Sequence, residues 1–256
     1  MPGIISEVVD LTDIALDFPE VLDDEISRDA MISTVEVLVS DGASLVFLEG
    51  REGIGKTVML AQFARAHSNN TFSLFLGGGS QYNFEIPSIR WNLSNQLHWY
   101  IHGKQLPSDS DFVDDSILRE KIRTILRKAN SKDNQFYFLI DGVQEAEQDL
   151  STVLEYLYDI LPLGAKGVSV IISGDESILR PNGLKRVKYK TLHVHPFSSS
   201  ETSDYFENNE ISNNDINDIH QTCKGHPGYL SAVKRLFNAG RSWESLGASL
   251  PQELPE

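Results

Sequence analysis

The chain has 256 residues, 40% hydrophobic and 23% charged, a composition that fits a folded globular protein and excludes a disordered or fibrous one. Its formal net charge of −15 speaks against a nucleic-acid backbone as partner, because sequence-independent phosphate binding rests on clustered Lys and Arg. The single cysteine, Cys223, excludes an internal disulfide and any zinc site built from cysteines of this chain, and is expected to be a small buried hydrophobe.

No apolar run approaches the roughly 18 residues that cross a bilayer, so no membrane span is expected. The N-terminus turns acidic early and lacks the basic start and apolar stretch of a secretory signal, which makes the cytoplasm the expected location. Residues 1–27 form an acidic lead-in with Leu11, Ile14, Leu16, Phe18 and Val21 as scattered apolar anchors. From Arg28 to Val39, apolar residues at Met31, Val35, Leu38 and Val39 predict a helix that Asp41-Gly42 ends. Leu45–Glu49 is a short strand running into Gly50, and Thr57–Ala66 is a helix with Leu60, Phe63 and Ala64 on one face.

Thr71–Leu76 predicts a second strand, followed by a flexible stretch at Gly77 to Ser80 and a helix marked by Ile89, Leu93, Leu97 and Ile101. Ser116–Lys128 is a further helix. Phe136–Ile140 is a continuous apolar strand ending at Asp141; Leu150–Leu161 is helical, and Gly167–Ile172 and Thr191–Val194 are the last two strands. Alternating strands and helices, with several strands apolar throughout, predict a parallel sheet covered on both faces. After Pro196 only helices follow: Ser198 and Glu201 form a capping box, and Asp215–Cys223 and Gly228–Phe237 are helical. There is no internal repeat with a period of about 20–50 residues.

The chemistry concentrates at Gly50-Arg51-Glu52-Gly53-Ile54-Gly55-Lys56-Thr57, a complete phosphate-loop pattern between a strand and a helix, with Val58 next in the helix. Glycines let successive backbone N–H groups converge on phosphate oxygens, and the helix adds the positive end of its dipole. Lys56 is expected at the β- and γ-phosphates and the Thr57 hydroxyl on Mg²⁺. A carboxylate must hold that metal across the site. Asp141, ending the most apolar strand, fits the role, and Glu145 in the following loop fits a group that activates water. His193 and His195 alternate on a strand without a third ligand, a weak metal pattern. Lys185, Arg186, Lys188 and Lys190 are the one basic cluster and read as a solvated face.

Over roughly residues 28–240 the chain resembles the STAND ATPases, the signal-transduction ATPases with numerous domains that include the NACHT and NB-ARC groups and are related to AAA+ proteins. The pieces are Arg28, Gly53 to Thr57, Gln96-Leu97, Leu139 to Glu145, Val170 to Ser173, Leu192 to Phe197 with the serines after it, and Gly225-His226-Pro227 opening a helix. The resemblance implies an α/β fold with a three-layer P-loop sheet of five strands in the order 5-1-4-3-2, followed by a small all-helical subdomain. The corresponding layout is a lead-in at 1–27, a nucleotide-binding domain at 28–196, the helical subdomain at 197–240 and a tail, or the start of a further segment, at 241–256.

It further implies ATP or ADP with Mg²⁺ as ligands and Pro227 as a nucleotide contact near the adenine; the phosphate loop itself does not read the base. Self-assembly or a protein partner is the implied output, and nucleic acid is not expected. Three departures stand out. Gln144 precedes Glu145 where the family has an acidic residue, and Ser173-Gly174 stands where a sensor arginine is common; Arg180 reads as a surface arginine, with a displaced sensor or an arginine supplied to a neighbour as the alternatives. The winged-helix segment and its phosphate-sensing histidine have no counterpart, which fits a fragment or a minimal switch. Slow hydrolysis by a regulatory switch is therefore the expectation, with a continuously hydrolysing AAA+ enzyme and a nucleotide-holding module without catalysis as alternatives.

Overall fold

The computed structural model describes residues 10–77, 84–107, 113–132, 134–175, 187–209 and 211–243. The acidic lead-in contains a short helix, α1 (Leu11–Ile14), and is followed by α2 (Asp29–Ser40), β1 (Leu45–Glu49), α3 (Lys56–Ala66) and β2 (Thr71–Phe75). Next come α4 (Ile86–His102), α5 (Asp115–Lys132), β3 (Phe136–Asp141), a 3-10 helix (Val143–Asp149), α6 (Leu150–Ile160), β4 (Val168–Ser173) and β5 (Tyr189–His193). The described chain closes with α7 (Ser199–Tyr205), α8 (Asn213–Cys223) and α9 (Pro227–Asn238).

The five strands form one parallel sheet in the order β2-β3-β4-β1-β5, the sequence-predicted 5-1-4-3-2 read from the other edge. Val46 pairs with Ile171 and Phe138 with Val170, so the most apolar strands occupy the middle. Side chains alternate between faces. Leu45, Phe47, Phe138 and Ile172 pack against α4, α5 and α6, while Val46, Leu48, Leu139 and Ile171 pack against α2 and α3. Burial on both faces explains why these strands read as continuous apolar runs.

At the β2 edge, Gln96 of α4 accepts from the Ser73 N–H (2.9 Å) and donates to the Ser73 carbonyl (2.8 Å), satisfying backbone groups an edge strand leaves open. A third buried cluster, Phe206, Ile216, Ile219, Cys223, Leu230 and Val233, joins α7, α8 and α9. Burial pushes the Cys223 thiol up to about 11, as for an inert core cysteine. The Ser198–Glu201 capping box opens α7 as expected, with Glu201 N–H donating to Ser198 Oγ (3.2 Å) and Ser198 N–H to Glu201 Oε2 (2.7 Å).

Several expectations shift. β5 starts at Tyr189, earlier than the predicted Thr191, because the register of β1 extends its pairing to that residue. Of the lead-in anchors, Leu11 and Ile14 are buried and Phe18 sits edge-on to Phe75, but Leu16 and Val21 are exposed. Glu145 lies in a 3-10 helix instead of a loop. Gly78, Gly79, Arg180, Lys185 and Arg186 fall outside the described residues, whereas Lys188 is exposed and donates to the Asp41 carbonyl (2.5 Å).

Candidate functional site

The glycine loop connects β1 to α3 at the carboxyl end of the sheet. Gly53 (φ +72°) and Gly55 (φ +95°) take left-handed backbone conformations that suit glycine, and Gly55 is the N-cap of α3. Gly50 is required for space: a Cβ there would lie 2.8 Å from Ile54 Cγ2. Ile54 anchors the loop in the core beneath it. The first N–H groups of α3 have no intrahelical acceptor, so the loop and helix start present donors and dipole to the same space.

Lys56 Nζ donates to the carbonyls of Gly50 (2.6 Å) and Arg51 (3.0 Å). Burial lowers its pKa, opposed by the charges of Asp141 and Glu52. Thr57 Oγ1 donates to Asp141 Oδ2 at 2.6 Å, and Ser173 Oγ donates to Asp141 Oδ1. Asp141 is only 6% exposed, so the ends of β3, β4 and α3 meet on one buried carboxylate. Glu145 has its pKa raised by burial first and then by the charges of Asp141 and Glu52. Among the described residues no group of three acids or histidines comes together, but Thr57 and Asp141 supply oxygen ligands of the kind Mg²⁺ takes, the rest of its shell coming from phosphate and water.

These residues line one cleft of about 870 Å³, within the range of small-molecule sites. Gly50, Glu52 through Val58, Asp141, Glu145 and Pro227 all face it; Arg51 does not line it, since the side chain is exposed and only its carbonyl is engaged, by Lys56. Pro227 sits in the first turn of α9, and the next residue, Gly228, donates its N–H to the Gly53 carbonyl at 3.0 Å. His226 packs beside Gly53, with burial lowering its pKa. His193 and Glu49 pair at 3.1 Å, away from the cleft lining.

Sequence reasoning missed three contributions. Ser173 occupies the position read as a missing sensor and instead holds Asp141; a polar residue ending an apolar strand, as Asp141 does, was the available signal. The segment 22–26, read as lead-in, lines the cleft through Leu22, Asp24 and Ile26, beside Arg28 at the expected start of the nucleotide-binding domain. It is pinned to α3 through Gln62, which donates to Glu25 (2.9 Å) and the Ile26 carbonyl (2.8 Å) and accepts from the Arg28 N–H (2.8 Å). On its other side Arg28, 5% exposed, pairs with Glu201 (3.1 Å) and lies over the Phe197 ring, while Asp24 pairs with Lys234 of α9 (3.0 Å). Lys234, a charged residue within the apolar stripe Leu230, Val233 and Phe237, was the sequence signal that this stripe needs a partner anion.

A family model described as an AAA ATPase domain matches residues 26–172. Among solved structures, the chain is similar to the Walker-type ATPase of Pyrococcus abyssi, with a TM-score of 0.59 and 14% identity over 92% of this chain and 74% of that one. It is also similar to Drosophila ORC bound to DNA, with a TM-score of 0.53 and 16% identity over 89% of this chain and 70% of that one. A STAND protein with a tetratricopeptide repeat sensor from Pyrococcus horikoshii gives a TM-score of 0.46 and 17% identity, over 87% of this chain and 30% of that one. Comparison with curated proteins gives no match. The first two of these similarities show the P-loop ATPase fold, and because the family model covers more than half of its residues, the chain belongs to the AAA ATPase domain family.

Proposed function

We propose that the chain is the nucleotide-binding switch domain of a STAND-type signalling ATPase, acting in the cytoplasm and passing its state on by self-assembly or to a protein partner. ATP or ADP occupies the cleft. Gly50 and Glu52 to Val58 surround the phosphates, Lys56 leaves its two carbonyl acceptors for the β- and γ-phosphates, and Pro227, Leu22 and Ile26 flank the base. Thr57 and Asp141 hold Mg²⁺, which neutralises phosphate charge when bound. Glu145 orients and polarises the attacking water.

The observation that carries this reading is the bond from Gly228 N–H to the Gly53 carbonyl at 3.0 Å. It ties the first turn of α9 to the loop that surrounds the phosphates, so a rearrangement of the loop reaches the helical segment after Pro196 through one hydrogen bond. Slow hydrolysis is supported by the cleft's cations: among the described residues Arg28 is the one arginine lining it, and its guanidinium is engaged by Glu201 and the His195 carbonyl.

Hydrogen exchange of the amides of α9 in the ATP-bound and ADP-bound protein tests the switch. Protection that differs between the two states is expected; identical protection with both nucleotides bound would remove it. The second reading, an AAA+ enzyme that hydrolyses continuously, is favoured by Asp141 and Glu145 both facing the cleft. A robust steady-state ATPase rate from the isolated chain would select it.

A further inference from the structure

Beyond β2 and β3 the backbone passes through two glycines in contact. Leu76 N–H donates to the Asp141 carbonyl at 3.0 Å, carrying the sheet pairing one residue past β2 and bringing Gly77 alongside Gly142. Gly142 has φ +76°, and a Cβ on it would lie 3.0 Å from Gly77 Cα, so the two chains approach at a distance only glycine permits. The 3-10 helix then turns back, with Glu145 N–H donating to the Gly142 carbonyl (3.1 Å), and the Glu145 side chain lies over Gly77. A Cβ at residue 77 would fall 2.6 Å from both Cδ and Oε2 of Glu145, closer than carbon atoms approach such groups.

We propose that Gly77 is the positioning residue for Glu145: its bare Cα is the seat on which the carboxylate rests at the cleft wall, and any side chain there moves the carboxylate away. The inference rests on the reading of Glu145 as the group that polarises water. Nothing rigid blocks the displacement, because Glu145 is exposed and its carboxylate is the free end of a flexible side chain. A methyl at residue 77 therefore displaces Glu145 without breaking the fold. Burial is the largest cause of the raised Glu145 pKa, which agrees with a carboxylate folded onto backbone rather than extended into solvent. The β2 end thus holds a residue that makes no hydrogen bond to the reacting groups yet fixes where one of them stands.

The test is Gly77→Ala in the full chain. Mg-ATP affinity is expected to stay at the wild-type value, since Lys56, Thr57 and the Asp141 carboxylate bond to Gly50, Arg51, Ser173 and one another. Single-turnover hydrolysis is expected to fall by about 10²-fold, the usual consequence of a misplaced catalytic group. Glu145→Asp withdraws the carboxylate by one methylene, so combining it with Gly77→Ala should cost less than the product of the two single losses. A crystal structure of Gly77→Ala reads the seat without reference to turnover: the Glu145 carboxylate should leave residue 77 for solvent. An unmoved carboxylate, or strictly multiplicative losses, would overturn the proposal. A displaced carboxylate with wild-type hydrolysis would uphold the seat and overturn instead the role of Glu145 in polarising water.

Discussion

Thr57 Oγ1 donates to Asp141 Oδ2 at 2.6 Å, joining the start of α3 to the end of β3 across 84 positions of sequence. With Ser173 on the other oxygen, the carboxylate is held by two hydroxyl donors at the carboxyl edge of the sheet, where the reading of the site puts a metal ion.

Asp141→Asn should therefore remove the part of ATP affinity that depends on Mg²⁺. An amide offers one acceptor oxygen instead of two and no charge, so it neither matches both hydroxyl donors nor binds a hard cation. Titration of ATP with Mg²⁺ and with a chelator measures the difference. The variant should show little gain from Mg²⁺, and a gain equal to that of the wild type would assign the metal elsewhere.

The bond from Gly228 to Gly53 can be removed without touching a side chain. Gly228→Pro deletes the donating N–H at a first-turn position that proline tolerates, and its ring meets the Gly53 carbonyl. The expected loss of stability exceeds the roughly 1 kcal/mol of one hydrogen bond, because the ring also crowds the Gly53 carbonyl and a following proline disfavours helical backbone at Pro227. Nucleotide should still bind, while any difference in α9 exchange between ATP and ADP shrinks. Full retention of that difference would mean the helical segment senses the loop by another route.

Much of this site was legible because its chemistry is local. The phosphate loop is a contiguous pattern bounded by a strand and a helix, and Asp141 ends an uninterrupted apolar run. The sheet order agrees with the resemblance. The pairs that place residues 22–28 were not legible, because Asp24 to Lys234 and Arg28 to Glu201 join distant parts of the chain; Asp24 belongs to no pattern, and Glu201 reads only as half of a capping box. Leu22 and Ile26 stand four apart in an acidic stretch that forms no helix, so their place on the cleft wall depends on Gln62 holding the Glu25 side chain and the Ile26 carbonyl. Ser173 ends an apolar strand as Asp141 does, but that its hydroxyl meets the Asp141 carboxylate follows only from the pairing of β4 beside β3.

Asp24→Ala tests the docking of that segment. Lys234 is 8% exposed and also donates to the Tyr205 carbonyl (2.5 Å), so removing Asp24 leaves a buried ammonium without its carboxylate. Because Asp24 is itself partly exposed, the loss is expected at about 1–2 kcal/mol, between the values of surface and fully buried pairs. Urea unfolding measures it. Replacing Lys234 as well, by Met, should recover part of the loss; no recovery would show that the pair is not the source.

His98 makes a prediction about pH. Lys121 Nζ, which can only donate, contacts His98 Nδ1 at 3.0 Å, so the ring accepts there and is neutral. Burial first, then the charges of Lys121, His102 and Lys104, lower its pKa from 6.5 to about 4. Between these values the unfolded chain binds a proton that the folded chain does not, so the stability present above pH 6.5 declines as pH falls toward 4. His98→Gln should flatten that decline relative to wild type in urea unfolding across the interval. An unchanged slope would mean His98 titrates alike in both states.

The most direct measurement of the account is calorimetric titration of Mg-ATP and ADP into the wild type and Lys56→Ala. Lys56 Nζ contacts only backbone carbonyls among its hydrogen-bond partners, and its removal leaves the fold of the loop to Ile54 and the glycines. The account predicts one saturable site in the wild type and affinity weaker by about 10- to 100-fold in the variant, the value of a lost charge-assisted bond to phosphate. Equal affinities in the two proteins, or no binding of either nucleotide to the wild type, would contradict it.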